Sequence, residues 1–491
     1  MRESELDEML SGLRQAGVDG QRIEVKASVE RLPKSIAESL SAFSNTNGGT
    51  VLLGLEDGTF TPAEGFKARE VADALARCCA DDLHPPVRAD IEVATLAEGA
   101  KIVIAEVPVL EPRDKPCYLK ARGKYAGSFI RTHDGDRKLS AYEIDRMVEN
   151  QGQPKWDLEP VPEAGLGDLD ATLVAEVLGR ERSLHPRLFA KLTDEEALRR
   201  LRVLVLDDKG VLRPTIAGLM CLGEYPQQFF PRLTLTYAVY PGSTKASAQS
   251  GMRFVDSGTL AGPIPVLVAD GLAAVVRNMR TAGVMKGAYR VDLPDYPPVA
   301  VREALTNALM HRDYSPLARG TQVQLNMYAD RLEVLNPGGL FGTVTIASLG
   351  REGLSSARNE HLSRLLEVTP FPDGGYVAEN RGSGYQEILN QLERELLPAP
   401  VPEDSPTRFA LTFERRRLQP AELGMAGQSS AERMLEHLRR HHSATSRDLA
   451  AVTGLTLSGA RRAISSLLEQ GRIERTEPAT SRRQRYRLAK E

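Results

Sequence analysis

The sequence predicts an α+β protein of several domains, and three observations lead to that class. Its 491 residues exceed what one hydrophobic core organises, so roughly two to four domains are expected. Short apolar runs of strand type alternate with amphipathic runs of helical period, without a clear internal repeat. Charge is also divided unevenly. From Gln428 to Glu491 there are 13 Lys/Arg and 7 Asp/Glu, a net +6, which leaves −9 on the remainder of a chain whose formal total is −3. A small basic module on an acidic body points to a polyanionic partner.

Composition excludes several classes. No apolar run approaches the roughly 20 residues of a membrane-spanning helix, and the start of the chain, Arg2-Glu3-Ser4-Glu5, has no secretory pattern. The four Cys, at 78, 79, 117 and 221, share no short repeated spacing, and Cys78 adjoins Cys79. Neither a disulfide framework nor a structural zinc site is expected, so a reducing, cytoplasmic setting fits. No Walker A pattern occurs, which leaves P-loop chemistry without support.

Residues 1–150 are expected to form a compact α+β unit. An amphipathic helix over 4–16 precedes the strand RIEVKAS at 22–28, with Glu24 and Lys26 on one face. The helix SIAESLSAFSNT closes at Asn47-Gly48-Gly49, and TVLLGLEDG reads as a buried strand ending at an acidic turn. KIVIAEVP at 101–108 is a further strand, followed by strand, basic loop, strand and helix through Met147.

The ordered blocks IEVKAS, AFSNTNGGTVLLGLEDG, KPCYLKARG, GSFIRTHDG and SAYEIDRM resemble the AlbA-like domain shared by bacterial regulators and Schlafen proteins. The resemblance implies nucleic-acid binding, and some Schlafen members cut structured RNA with three carboxylates. On this chain Asp19, Glu24 and Asp57 occupy the corresponding positions, Asp19 as a shortened replacement for the usual Glu. Three converging carboxylates would hold Mg²⁺ or Mn²⁺ and activate water on a phosphate. The alternative is that these acids only orient strand and loop, while Lys115, Lys120, Arg122, Lys124, Arg131 and Arg137 contact phosphates without cutting.

Residues 155–415 follow a Pro- and Gly-containing linker at 151–167. A helical region covers about 170–204, and RVLVLDDKGVLRPTIAGLMCLG reads as strand, turn, strand and helix. LTLTYAVY at 233–240 is another strand, and LAGPIPVLVADGLAAVVRNMR is a long helix. VREALTNALMHRDYS, 301–315, then starts a helix behind Pro294, Pro297 and Pro298. Glu303, Asn307 and His311 recur every fourth residue and share one face, whereas Leu305 and Leu309 mark another. Two strands in TQVQLNMYADRLEVLNPGG deliver Asn336-Pro337-Gly338-Gly339 to a sharp loop. In ENRGSGYQEI a glycine loop opens a helix, a placement that turns backbone N–H groups toward phosphate.

Together REALTNALMHRDY, LEVLNPGGL and RGSGYQEI resemble the nucleotide-contacting blocks of GHKL ATPases, an α/β sandwich fold, and Arg358-Asn359-Glu360 fits a divergent branch. The resemblance implies Glu303 as the water-activating acid and Asn307 as the residue that coordinates phosphate-bound Mg²⁺. It places Asn336, Gly338, Gly339, Arg381, Gly382, Ser383 and Gly384 against an ATP-like nucleotide. Asn336 stands where the family has the Asp that reads the adenine amino group, and Leu340 replaces the last Gly. The carboxamide still accepts a hydrogen bond but has no charge. His311 reads as a capping or packing residue, since no His/Cys set accompanies it.

Residues 428–491 read as three helices and a hairpin, which resembles the winged helix-turn-helix of bacterial regulators. Ser458, Arg461 and Arg462 on the third helix are candidate groove contacts, and Arg482, Arg483 and Arg485 candidate wing contacts. A protein-binding winged helix is the alternative. The expected function is a DNA-binding transcriptional regulator with a nucleotide-sensing domain, assembled as a homo-oligomer. A metal-dependent RNA or DNA nuclease and a non-catalytic scaffold are the other readings, so enzymatic activity stays open.

Overall fold

The structure is a computed structural model that describes residues 3–29, 31–96, 99–132, 135–245, 252–286, 289–351, 353–378, 384–416, 430–477 and 484–489. It is a multidomain α+β protein, as its composition of alternating runs predicts.

The first sheet runs Ile23–Lys26, Gly49–Leu53, Lys101–Val107, Asp90–Thr95, with the first pair parallel and the others antiparallel. Its residues alternate between two apolar layers, because successive strand side chains point to opposite faces. Val51, Leu53, Val103 and Ala105 pack with the helices Lys34–Asn45 and Ala68–Arg77. Leu52, Ile102 and Ile104 meet Leu6, Leu10 and Leu13 of the helix Glu3–Ala16, whose spacing puts them on one stripe. The buried Asn45 carboxamide donates to Cys117 O at 2.8 Å and Phe129 O at 2.9 Å, and accepts from Cys117 N at 2.7 Å. It fastens the basic loop to the helix.

The second sheet has six strands in the order Asp256–Leu260, Leu235–Val239, Val323–Met327, Arg331–Pro337, Arg408–Glu414, Val401–Ser405. Only the pairing of Leu235–Val239 with Val323–Met327 is parallel among these strands. One hydrophobic cluster extends from Val161 to Phe413, so the connecting helices and the sheet share a core. The helices Ile264–Asn278 and Pro298–Met310 contribute Leu267, Val275, Val301, Leu305 and Leu309 to it.

A buried polar junction joins the two units. Arg146, on the capped helix Ala141–Glu149, donates to Asp313 Oδ2 at 3.0 Å and Ser315 Oγ at 2.5 Å. Arg358 donates to Asn150 Oδ1 at 2.9 Å and Gly339 O at 2.7 Å. Trp156 Nε1 donates to Glu149, and Gln153 to the Arg358 carbonyl at 2.9 Å.

The last unit contains the helices Ser430–His441, Ser446–Thr453 and Leu457–Glu469 and the hairpin Ile473–Arg475/Tyr486–Leu488. Thr445 and Asp448 form a reciprocal cap, and Gly454 ends that helix at φ 72°, a conformation in which a side chain would be strained. Met434, Leu438, Leu449, Ile464, Leu467 and Tyr486 close its core. No helix among the described residues is long and apolar enough to cross a membrane.

Candidate functional site

The helix Pro298–Met310 opens on two prolines, which need no N–H donor there, and drives Val301, Leu305 and Leu309 into the core. Its other face, with Glu303, Asn307 and then His311, lines a cavity of about 1010 Å³. That volume lies at the upper end for small-molecule sites. Val334, Asn336, Phe409 and Leu411 of the sheet form one wall, and Gly384, Tyr385 and Ile388 of the helix Gly384–Arg394 another.

Asn307 Nδ2 donates to Glu303 O at 2.9 Å and Glu303 Oε1 at 3.0 Å. This leaves Asn307 its carboxamide oxygen as an acceptor and holds the Glu303 carboxylate beside it. Gly384 approaches closely, because a Cβ there would run into the Glu303 carboxylate and lie 2.9 Å from Asn307 Nδ2 unless those side chains shifted. The first and third motifs therefore meet. Arg381, Gly382 and Ser383 lie outside the described residues.

Strand alternation sends Leu332, Val334 and Asn336 inward. Asn336 is 5% exposed, and its Oδ1 is buried without a hydrogen-bond partner among the described residues. A buried carbonyl oxygen left in this state costs about 1–3 kcal/mol. Gly339 lines the cavity; Gly338 does not. Gly338 is held at φ 94° with room for no Cβ, which would approach Asp313 Cβ to 2.8 Å, and a Cβ on Gly339 would strike Ser405 O. The glycine pair is thus explained by packing against Asp313 and Ser405. Leu340 donates its N–H to Asp404 Oδ1 at 2.7 Å.

His311 is the C-cap of the cavity helix, with its N–H on Asn307 O at 2.9 Å. Burial, reinforced by the nearby Arg358 cation, lowers its imidazole pKa to about 4, so it is neutral at pH 7. Asn359 donates to Met310 O at 2.8 Å and Arg312 O at 2.9 Å. The Arg358-Asn359 pair thereby ties the end of the cavity helix to the glycine turn.

The acids of the first domain are arranged differently from a three-carboxylate metal site. Glu24, 6% exposed, accepts from Arg131 at 2.8 Å and Lys26 at 3.1 Å. The exposed Asp57 reaches Lys26 at 3.2 Å, and Asp19 accepts from the Val25 N–H at 3.3 Å. No group of three His, Cys, Asp or Glu that could hold a metal ion occurs among the described residues. Lys26 stands between Glu24 and Asp57 and pairs with both.

Two of the expected phosphate contacts need correction. Arg131 is 3% exposed, bonded to Glu24, Asp136 and Ile23 O, and its guanidinium lies over Phe43. Lys115 is 8% exposed beneath the second unit, where burial lowers its pKa against the opposing pull of Asp404. Both serve the fold. Lys120, Arg122 and Arg137 are exposed and Lys124 is half-buried; Lys120 donates to Asp81 O at 2.8 Å and Arg122 pairs with Glu38 at 2.6 Å.

In the last unit Ser458, Arg461 and Arg462 are exposed on the side of their helix away from Ala460, Ile464 and Leu467. Arg485 bonds Ser443 Oγ and O, each at 3.0 Å, so its charge is partly committed to the module. Arg482 and Arg483 lie outside the described residues.

Sequence reasoning did not single out Arg146, Arg180 or Arg302. Arg146 reads as an ordinary polar position on an amphipathic helix, and its partner Asp313 is 167 residues distant. Arg180 and Arg302 line the cavity, the first from a connecting helix that carries no motif.

Known proteins place these parts in a class. Residues 19–140 match the Schlafen AlbA_2 family, and residues 320–413 match an ATPase-type family described as "Putative ATP-dependent DNA helicase recG C-terminal". Residues 145–236 match a domain of unknown function. The chain therefore joins an AlbA-like domain to an ATPase-like domain. Among solved structures, the DIP2311 protein of Corynebacterium diphtheriae is 18% identical, with 99% of this chain and 97% of that chain covered and a TM-score of 0.42. The N-terminal domain of a RecG-related protein from Nitrosomonas europaea is 27% identical over 27% of this chain and 91% of its own, with a TM-score of 0.22. The search of curated proteins finds no match.

Proposed function

We propose that the protein is a DNA-binding transcriptional regulator whose ATPase-like domain binds an adenine nucleotide with Mg²⁺ in the cavity. The observation that carries the nucleotide reading is Asn336, a residue of the cavity wall whose Oδ1 has no hydrogen-bond partner among the described residues. It matches an exocyclic amino group, which donates N–H. The Asn307 carboxamide oxygen, left as acceptor by the bonds to Glu303, suits a hard cation. Mg²⁺ there would neutralise phosphate charge; Asn307 would hold it, while Glu303 would fix the Asn307 amide and accept a proton from water. Asn in place of Asp supplies a neutral base contact, which favours a sensing site over fast turnover.

DNA binding rests on the exposed Arg461 and Arg462 and on the +6 charge of residues 428–491, with Lys120, Arg122 and Lys124 as a further basic surface. A homo-oligomer would place two such modules on a symmetric operator. Calorimetry with ATP/Mg²⁺ on the full chain tests the sensor. Binding that is lost in Asn307→Ala and Asn336→Ala is expected; no heat with the parent protein refutes it. Selection from random duplexes, with and without ATP, tests the regulator, and the absence of any preferred sequence would defeat it.

A further inference from the structure

The cavity is lined by more positive charge than the three motifs account for. Arg364 is already neutralised, by Glu181 at 3.0 Å and Glu367 at 3.3 Å. Arg180 and Arg302 have no ion pair among the described residues, although both line the cavity. Each instead faces an aromatic ring: the Arg180 guanidinium is laid on Tyr376, 3.3 Å from its ring centroid, and Arg302 stands 5.6 Å from that of Phe371. A ring under a guanidinium fixes its plane and leaves its edge N–H donors available. Among the described residues the Arg180 Nε has no hydrogen-bond partner.

Arg180 does not belong to the ATPase-like match. It sits on the helix Ala171–Leu184, inside residues 145–236, the segment that matches a domain of unknown function. The next residue, Glu181, is 1% exposed and pairs with Arg364 of the helix Glu360–Leu366. This link, buried only on its Glu181 side, joins the connecting helix to the ATPase-like domain beside Arg180. Arg302, adjacent to Glu303, approaches from the cavity helix.

We propose that Arg180 and Arg302 form a phosphate clamp for the nucleotide, so that the 145–236 domain supplies part of the binding site. The inference rests on the nucleotide reading of the cavity and names the groups that receive the anionic end. Two planar, preoriented donors match phosphate oxygens in pairs, and charge-assisted bonds of this kind are the stronger ones. The clamp also gives the connecting domain a stake in ligand occupancy.

The test compares ATP and AMP binding to the full-length protein, its Arg180→Gln and Arg302→Gln variants, and Asn336→Ala, by calorimetry at fixed salt. The parent is expected to prefer ATP over AMP, and each Arg variant to compress that preference tenfold or more while AMP affinity and the urea midpoint stay unchanged. Asn336→Ala should weaken both ligands equally. If the parent binds neither ligand, the nucleotide reading falls and the clamp with it. If the parent binds both but either Arg variant keeps the ATP preference, or loses AMP in the same proportion, the nucleotide reading stands and the clamp is overturned.

Discussion

Asp313→Ala should loosen the junction between the helix Ala141–Glu149 and the unit built on the second sheet. The Asp313 carboxylate receives Arg146 at 3.0 Å, and both side chains are nearly excluded from water, at 5% and 8% exposure. At an effective dielectric near 20, charges at this separation attract by roughly 5 kcal/mol, which bounds the effect from above. Removing one partner of a buried pair typically costs about 3–5 kcal/mol, because the other charge stays buried. Arg146 keeps Glu149 at 2.5 Å and Ser315, so the low end, about 3 kcal/mol, is expected. Trp156, the single tryptophan, donates to Glu149 and packs on the middle core, so its fluorescence reports this region during urea unfolding. With a urea dependence of about 1–3 kcal/mol per M, the midpoint should fall by roughly 1–3 M. Replacing both residues with apolar ones, Arg146→Met and Asp313→Leu, should recover most of the loss. A single variant within about 0.5 kcal/mol of the parent would refute the reasoning. The Asp313 pKa is lowered: burial pulls it up, but Arg358, Ser315 and Arg146 outweigh that. Its contribution is therefore present above the unfolded carboxylate value and lost as pH falls through the folded value, a loss the Ala variant should not show.

Four further outcomes follow from the same geometry. His311 has a folded pKa of about 4 against an ordinary 6.5, so the unfolded chain takes the proton first; stability should drop by about 2 kcal/mol from pH 7 to 5, and His311→Gln should flatten that slope in urea titrations. Asn336→Leu removes an unpartnered buried oxygen, so it should stabilise the ligand-free protein by about 1 kcal/mol while abolishing ATP binding; a destabilised variant that still binds would contradict the site. Gly384→Val pushes a side chain into the Glu303 carboxylate, and calorimetry should register loss of ATP with little change in duplex binding. Arg461→Ala with Arg462→Ala should weaken DNA binding and reduce its dependence on log salt by about two charges, whereas an unchanged slope would place the DNA elsewhere.

Much of this protein was legible locally. The continuous apolar runs around Val51 and Ile104 and the stripe of Leu6, Leu10 and Leu13 announce a sheet covered on both faces, because successive strand side chains point to opposite sides. The helix Pro298–Met310, expected over 301–315, is likewise written in its four-residue spacing although it ends at Met310, and Gly384 does approach Glu303 and Asn307. Residue type proved a poor guide to what a charge does. Arg131 and Lys115 look like phosphate contacts in a basic loop, yet both are buried under neighbouring elements. Gly338 looks like room for a ligand, yet it makes room for Asp313, while Gly339 both lines the cavity and lies against Ser405.

The sequence by itself determined the α+β class, the strand and helix faces, the pairing of Glu303 with Asn307 and the basic tail, since each depends on spacing within one element. Only the tertiary structure decided which charges are spent and which are free. Arg131 is neutralised by Glu24, 107 positions before it, and Arg146 by Asp313, 167 positions after it. Arg180 lines the cavity beside the link from Glu181 to Arg364. Charges meet through space across distant segments, and no local pattern records that meeting.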